Sequence, residues 1–413
     1  MIYNLSNISG FNNVIKTNET NETNETNETN EKYYSVKEYV TKGPETYSIV
    51  RYNKELLSKD IVPTYGLLRS VIVSNGKVVS FAPPKSVSID SFMNDYPLIM
   101  DNIVAEEFVE GTMINVFYGA TGCWQISTRN TVGADVAFTQ GKKTFNTMFM
   151  EACQSNNFFL NSLNPRLCYS FVLQHPENRI VVPFKHRQLY LVAVYEIVQD
   201  DNIRVLEHDM RKVSQDGMWG TTGIKFPERY TFSTYTQLID KFASPNTPYN
   251  IVGVVIRNME TGDRTKIRNP IYEEVRHLKG NQPKLQYQYL SLRQNGKLPE
   301  FLKYYPELKP EMSKFRDQVH LFTNTLFNNY IACYIKKEKP LREFPEQYRT
   351  HMFKLHEQYI TTLKPNNLFV TNTLAIKYVN ELPPSLLMYC LNYNMRKRVV
   401  DTIKTELTHM NLW

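Results

Sequence analysis

The chain has 413 residues, 42% of them hydrophobic and 13% aromatic; this suffices for two or three domains with cores of their own, while no apolar run reaches the roughly 18 residues of a membrane helix. Met1-Ile2-Tyr3-Asn4 lacks a basic segment followed by an apolar one, so a secretory leader is not expected and a cytoplasmic protein without membrane attachment is. The net charge of +7 is uneven: residues 281–413 hold 19 Lys and Arg against 11 Asp and Glu, an excess that is compatible with a polyanionic partner without demanding one.

Residues 18–29 read Asn-Glu-Thr four times, followed by Asn30-Glu31. Such a polar repeat buries nothing, and residues 1–40 are expected as a disordered tail. Each unit matches the Asn-x-Thr glycosylation acceptor, which has no consequence without secretion. Residues 41–280 form the next expected domain, with short β-rich runs between turns. The runs 69–73 and 77–81 flank Ser74-Asn75-Gly76, and Asn-Gly is the strongest short hairpin signal. Further strand pairs are expected at 113–118 with 123–128, at 179–183 with 188–196, and at 251–257 with 265–268; helices are expected near 143–156 and 234–242. The fold class that follows is α+β, with antiparallel sheets.

Residues 281–413 are expected as an all-α domain, with helical periodicity beginning after Pro299. Phe315, Val319, Phe322, Leu326, Tyr330 and Tyr334 recur at three- and four-residue steps, as do Tyr348, Met352, Leu355, Tyr359 and Leu363. Two long amphipathic helices ending near Pro340 and Pro365 follow, then helices over 371–380 and 384–408. The aromatic stripes read as core rather than as base-stacking platforms.

Several motifs lead away from other chemistries. Gly119 to Gly122 and Gly217 to Gly223 do not fit the phosphate loop Gly-x-x-x-x-Gly-Lys-Ser/Thr. Cys123, Cys153, Cys168, Cys333 and Cys390 are odd in number and widely spaced, and are expected to be reduced and buried. His175, His186 and His277 lack metal-ligand spacing, and no metal site is expected. Lys336-Lys337-Glu338-Lys339 and Arg396-Lys397-Arg398 read as solvated helix faces, with phosphate contacts as the alternative given the charge excess of this region.

Glu106-Glu107-Phe108-Val109-Glu110-Gly111-Thr112 and Phe171-Val172-Leu173-Gln174-His175-Pro176-Glu177-Asn178-Arg179-Ile180-Val181-Val182 carry a resemblance, together with Val252-Gly253-Val254-Val255-Ile256-Arg257 and Lys266-Ile267-Arg268 followed by Tyr272. Taken in order over roughly 240 residues, these segments resemble the successive motifs of phage-type RNA ligases, members of the covalent nucleotidyltransferase superfamily. The resemblance implies a nucleotidyltransferase domain with two antiparallel sheets around a cleft, followed by a helical domain that aids choice of RNA. Arg69 and Lys85 stand where the family contacts the terminal phosphates of the nucleotide, and Arg129 where a further basic residue is expected. Abundant Asn, Ile, Lys and Tyr point to an AT-rich genome such as that of a large DNA virus, with the host cytoplasm or a viral factory as location.

Against that pattern the nucleophile is missing. The family has Lys-x-Asp-Gly where this chain has Phe108-Val109-Glu110-Gly111, and no Lys occurs between Ser86 and Gly141. A lysine attacking the α-phosphate must be a desolvated amine among cations that hold the developing charge; Phe108 supplies no such group. The glutamates that fix ribose and metal are replaced by Val172 and Val252, so Mg2+ binding is not expected. Two readings remain. In the first, a pseudoenzyme binds ATP, GTP or RNA ends, the mRNA 5′ end among them, in a basic cleft of Arg69, Lys85, Glu110, Gly111, Arg129, Arg257, Lys266 and Arg268, with no covalent step. In the alternative, an active ligase uses Lys85 as a relocated nucleophile, with Glu106, Glu107 and Glu110 serving a metal. A structural protein that keeps only the scaffold would make the basic residues dispensable.

Overall fold

The computed structural model describes residues 1–20, 32–40, 45–138 and 143–398. The chain divides into two compact units, Met1–Arg276 and His277–Trp413. The division falls four residues before the expected 280/281 boundary. Helices also start earlier than Pro299, at Pro270–Lys279 and Leu285–Gln294.

The first unit is α+β, and all its strand ladders are antiparallel. It holds three sheets rather than two. Strands are numbered in chain order. The largest sheet runs β1 (Ile2–Asn4), β11 (Ile203–Glu207), β10 (Gln188–Gln199), β9 (Leu167–Gln174), β7 (Thr112–Tyr118), β8 (Trp124–Ser127). A second comprises β12 (Arg229–Tyr230), β6 (Ile103–Glu107), β13 (Gly253–Asn258) and β14 (Arg264–Arg268). The third joins β2 (Tyr34–Val40), β3 (Thr46–Tyr52), β4 (Val71–Ser74) and β5 (Lys77–Ser80).

Much of the expected disordered tail is therefore part of the fold. Tyr3, Leu5, Ile8 and Phe11 are buried in the core shared by the first and third sheets, and 18–20 end the helix Phe11–Thr20. Apolar residues on either side of the repeat outweigh its polarity; residues 21–31 lie outside the described segments. The expected strand 179–183 is also absent. There Pro176 and Pro183 interrupt a ladder, and β10 pairs with β9 and β11 instead.

Two-residue alternation assigns the strand faces. On β9, Tyr169, Phe171 and Leu173 pack with Met148, Phe149 and Cys153 of the helix Phe145–Ser155, leaving Val172 for the opposite face. On the second sheet, Ala105, Val254, Ile256 and Ile267 pack on Phe92 and Leu238. The residues between them face away from that core. Those two remaining faces, from the first and second sheets, bound the candidate site.

The second unit is helical. Its two longest elements, Lys309–Tyr330 and Glu346–Gln358, bury Val319, Phe322, Leu326 and Tyr330 and Tyr348, Met352 and Leu355 respectively, as the periodicity predicts. Shorter helices follow at Asn372–Glu381 and Pro384–Leu391. No helix among the described residues is long and apolar enough to cross a membrane.

Candidate functional site

A cavity of about 210 Å3 lies between the first and second sheets. Its walls come from the ends of β6 and the turn after it (Glu106 to Val109, then Gly111), from Met113, Val172 and Val192 of the large sheet, and from Val255, Arg257, Arg264 and Lys266 on β13 and β14, with Arg69 and Pro227. Its volume is below the roughly 300 Å3 where small-molecule pockets begin, so it suits part of a nucleotide rather than the whole.

Strand β14 supplies much of the charge. Arg264, Lys266 and Arg268 alternate with Thr265 and Ile267, so three cations fall on one face while their neighbours enter the core. Arg69, Lys85, Arg264 and Lys266 have no carboxylate within salt-bridge distance among the described residues. Burial, then repulsion by Arg264, lowers the Arg69 pKa to about 10. Burial, reinforced by Arg264, Arg69, Arg268 and Lys85, drives the Lys266 amine well below its ordinary value. Lys85 is lowered by burial and then by Arg69, and its Nζ donates to the Ser86 carbonyl at 2.9 Å. Such mutual repulsion, uncompensated by protein carboxylates, is what an anionic ligand relieves.

Phe108 is only half-buried. Lys266 Nζ lies 4.7 Å from its ring centroid and the Arg268 guanidinium 5.2 Å. The ring thus presents its negative faces to cations at the position the resemblance assigns to the lysine.

Other expected site residues are placed differently. Arg257 lines the cavity but is 3% exposed and committed to carboxylates: it pairs with Glu207, and with Glu106 at 3.6 Å. Burial opposes its charge, yet Glu207 and Glu106 outweigh that and hold its pKa above the ordinary value. It is a structural ion pair rather than a free phosphate ligand. Glu110 is buried, and its carboxylate accepts from Val181 N at 2.6 Å and Val182 N at 3.1 Å, which ties down the loop after β9. Gly111 has φ +150°, and a Cβ there would stand 2.5 Å from the Leu173 carbonyl oxygen. Its close approach is to β9, where the resemblance implied a ligand. Arg129 is exposed on a neighbouring groove, over the Tyr52 ring at 5.1 Å. Arg268 lies at the rim and pairs with Glu273 at 2.5 Å.

Arg264 escaped the sequence reading because the expected strand started one residue later; its Nε is buried without a hydrogen-bond partner. Alternation extended back by one residue would have found it. Val252, read as the replaced metal ligand, is buried just before β13 and is not among the lining residues; Val255 faces the cavity instead.

The cavity offers few carboxylates to a hard cation such as Mg2+, which is held by one or two of them together with substrate phosphates and water. Glu106 is held by Arg229 at 3.0 Å and by Arg257, and Val172 and Val255 supply none. Glu107 remains, its pKa raised by burial. No group of three His, Cys, Asp or Glu able to hold a metal occurs among the described residues. Cys153 and Cys168 are buried, with thiols pushed up to about 12 by that burial, which makes them poor nucleophiles; Cys123, by contrast with expectation, is exposed, and Cys333 is partly so.

No protein-family model matches the chain. It is similar to an RNA ligase of Rhodothermus phage RM378, 22% identical over 61% of this chain and 64% of the relative. It is similar also to an immediate-early protein ICP-46 homolog of Invertebrate iridescent virus 6, 22% identical over 68% of this chain and 65% of the relative. The chain thus spans slightly less than two thirds of each relative's length. Among solved structures, the chain matches an archaeal ATP-dependent RNA ligase, 12% identical over 68% of this chain and 72% of that one with a TM-score of 0.36. Another is an RNA ligase of Naegleria gruberi, 12% identical over 47% of this chain and 57% of that one with a TM-score of 0.34. In sequence the chain is thus similar to a phage RNA ligase, and its own first unit is α+β with antiparallel sheets.

Proposed function

We propose that the first unit binds a nucleotide or a phosphorylated RNA end through Arg69, Arg264 and Lys266, with Lys85 beside them, and forms no covalent intermediate. The observation that carries this reading is the pairing of two features in one cavity. Arg69, Arg264 and Lys266 have no carboxylate within salt-bridge distance among the described residues, and the position matching the family's nucleophile holds Phe108, its ring occupied by Lys266 and Arg268. A phosphate group entering there supplies Lys266 with a counter-charge that offsets the hydration lost on burial and the repulsion of Arg264 and Arg69. Phosphoryl or nucleotidyl transfer would further need a metal over the leaving group, and of the two lining carboxylates Glu106 is already held by Arg229 and Arg257.

Isothermal titration with ATP, GTP and a 5′-phosphorylated RNA oligonucleotide tests this. Binding that weakens at least tenfold in Arg264→Gln and in Lys266→Met supports the reading; equal binding in both variants overturns it.

A second reading, an active ligase with a relocated lysine, draws on the lowered pKa of Lys85 and, more strongly, of Lys266, since a nucleophilic amine must be partly neutral. Of the two, Lys266 lines the cavity. Acid-labile labelling of the protein by α-labelled ATP separates this reading from the first.

A further inference from the structure

Two apolar turns flanked by lysines, both in the second unit, have no part in the cavity. The helix Lys309–Tyr330 passes into a turn with i→i+5 hydrogen bonding, Ile331–Ile335, and the helix Glu346–Gln358 into another, Tyr359–Leu363. Such π turns are rare and are found disproportionately at functional sites. The two adjoin: the His356 ring stacks on Tyr334 of the first at 3.8 Å and meets Tyr359 of the second at 5.8 Å. Each of these tyrosines is followed by an isoleucine left in solvent, Ile335 at 57% and Ile360 at 48% exposure. Leu368 and Phe369, 55% and 70% exposed, belong with the second turn, to which the Leu368 amide is tied by a hydrogen bond of 2.9 Å to the Leu363 carbonyl. One scattered apolar side chain in solvent is ordinary; four gathered at two adjoining turns mark an interaction surface.

The charge around them is largely positive. Lys336-Lys337-Glu338-Lys339, expected on a helix face, instead follows the first turn in irregular chain, and Lys364 follows the second. Lys336 pairs with Glu338 at 3.6 Å, while Lys337, Lys339 and Lys364 have no carboxylate within salt-bridge distance among the described residues. Lys337 also holds a left-handed φ of 55°, a costly conformation for a lysine and one that recurs in ligand clamps and switch segments. Each class of occupant meets these features differently. A second copy docked through the same patch would bring a lysine-rich rim to both sides of the contact. An anionic lipid surface would gain from the lysines but would set the exposed Glu338 and Glu357 against its headgroups. A polypeptide can place carboxylates opposite Lys337, Lys339 and Lys364, apolar side chains opposite the patch, and no charge against Glu357. We propose that the two adjoining turns dock an acidic, amphipathic segment of a protein partner. This surface is independent of the cavity and of its proposed ligand.

The test is selection on the full chain from a displayed library of random peptides about 16 residues long, some four helical turns, with Leu368→Ser/Phe369→Ser as the counter-target. Both side chains are exposed outside any helix, so the double variant should melt like the natural protein, which a thermal scan checks. Enriched peptides should carry an excess of Asp and Glu, with Leu, Ile or Phe at three- and four-residue spacing. By fluorescence anisotropy they should lose about tenfold or more in the double variant, as removal of an aromatic anchor does. Lys337→Gln/Lys364→Gln should also weaken them at low salt, by a margin that vanishes near 1 M salt, where screening acts within about 3 Å. No enrichment over the counter-target, or enrichment of basic or uncharged peptides, would overturn the proposal. So would a dimer in sedimentation that Leu368→Ser/Phe369→Ser abolishes, which assigns the patch to a second copy, or flotation with phosphatidylserine vesicles that the same variant abolishes, which assigns it to a lipid surface.

Discussion

Lys266 Nζ sits 4.7 Å from the centroid of the Phe108 ring. An aromatic face offers a cation about 0.5–2 kcal/mol without an ionisable partner. That is far less than a carboxylate offers, and the Lys266 pKa stays depressed. Phe108 therefore keeps a cation in the cavity while leaving its charge available to a ligand. A glutamate in its place would neutralise the site, and a lysine would add to the repulsion.

Incubation with α-labelled ATP or GTP, in Mg2+ or Mn2+, should leave the natural protein unlabelled. Loss of a central nucleophile can cost on the order of 10⁶ in rate in a serine protease. Phe108→Lys alone should also remain unlabelled, because Val172 and Val255 still face the cavity without oxygen donors. Label on the natural protein that disappears in Lys266→Ala or in Lys85→Ala would assign the nucleophile to that lysine and establish the active-ligase reading.

The buried triad Tyr3, Glu207 and Arg257 should matter to stability. Glu207 accepts from the Tyr3 hydroxyl at 2.7 Å and pairs with Arg257, joining β1, β11 and β13. Glu207→Ala leaves a buried guanidinium with only the more distant Glu106, and should cost about 3–5 kcal/mol in urea unfolding. Glu207→Leu/Arg257→Met removes both charges and should recover most of that loss, leaving about 1–3 kcal/mol for the orphaned hydroxyl. A double variant as unstable as the single one would show that the pair itself contributes.

How much was legible follows from the range of the signals. The Asn75-Gly76 hairpin is local: both residues take positive φ, 50° and 70°, as a tight turn between β4 and β5 requires. The helical stripe from Val319 to Tyr330 is likewise local, repeated over several turns. The cation row on β14 needs only alternation, and Arg264 was lost to a one-residue error in the start of the strand. The partners that Arg257 and Glu110 take in the fold are not legible locally. These partners, Glu207 and the amides of Val181 and Val182, lie 50 and about 70 residues away, and only the tertiary fold decides whether a charged side chain faces a ligand or a partner. β1 was hidden similarly, since three residues beside a polar repeat carry no period, and their pairing with β11 is about 200 residues distant.

Gly111→Ala should unfold the cavity wall locally. Beyond the strained φ of +150°, the new methyl would stand 2.5 Å from the Leu173 carbonyl oxygen and 2.6 Å from Val172 Cγ1, and the first of these is backbone that cannot move without breaking the β7–β9 ladder. A loss of about 2–4 kcal/mol is expected, together with weaker nucleotide binding. Hydrogen exchange should locate the change at 111–114 and 171–174. Natural-like protection there would mean that the turn relaxes without cost.

Lys266 gives the cavity a pH signature. Its folded pKa lies well below its ordinary 10.5, chiefly because of burial and then because of Arg264 and Arg69. The folded state therefore binds fewer protons than the unfolded chain between those two values, so this residue's contribution to stability rises with pH across that window, and its cost is fully present below the folded pKa. A phosphate ligand reverses the local balance: its negative charge favours the ammonium form and raises the Lys266 pKa toward 10.5. ATP binding should then take up protons at any pH between the free and ligated values, and affinity should fall as pH rises through them. Calorimetry in two buffers of different ionisation enthalpy measures the uptake directly. Lys266→Met should lose most of it, with any remainder attributable to Lys85, whose pKa is also lowered. ATP binding without proton uptake from neutral pH to 10, in the natural protein, would place the phosphates away from Lys266.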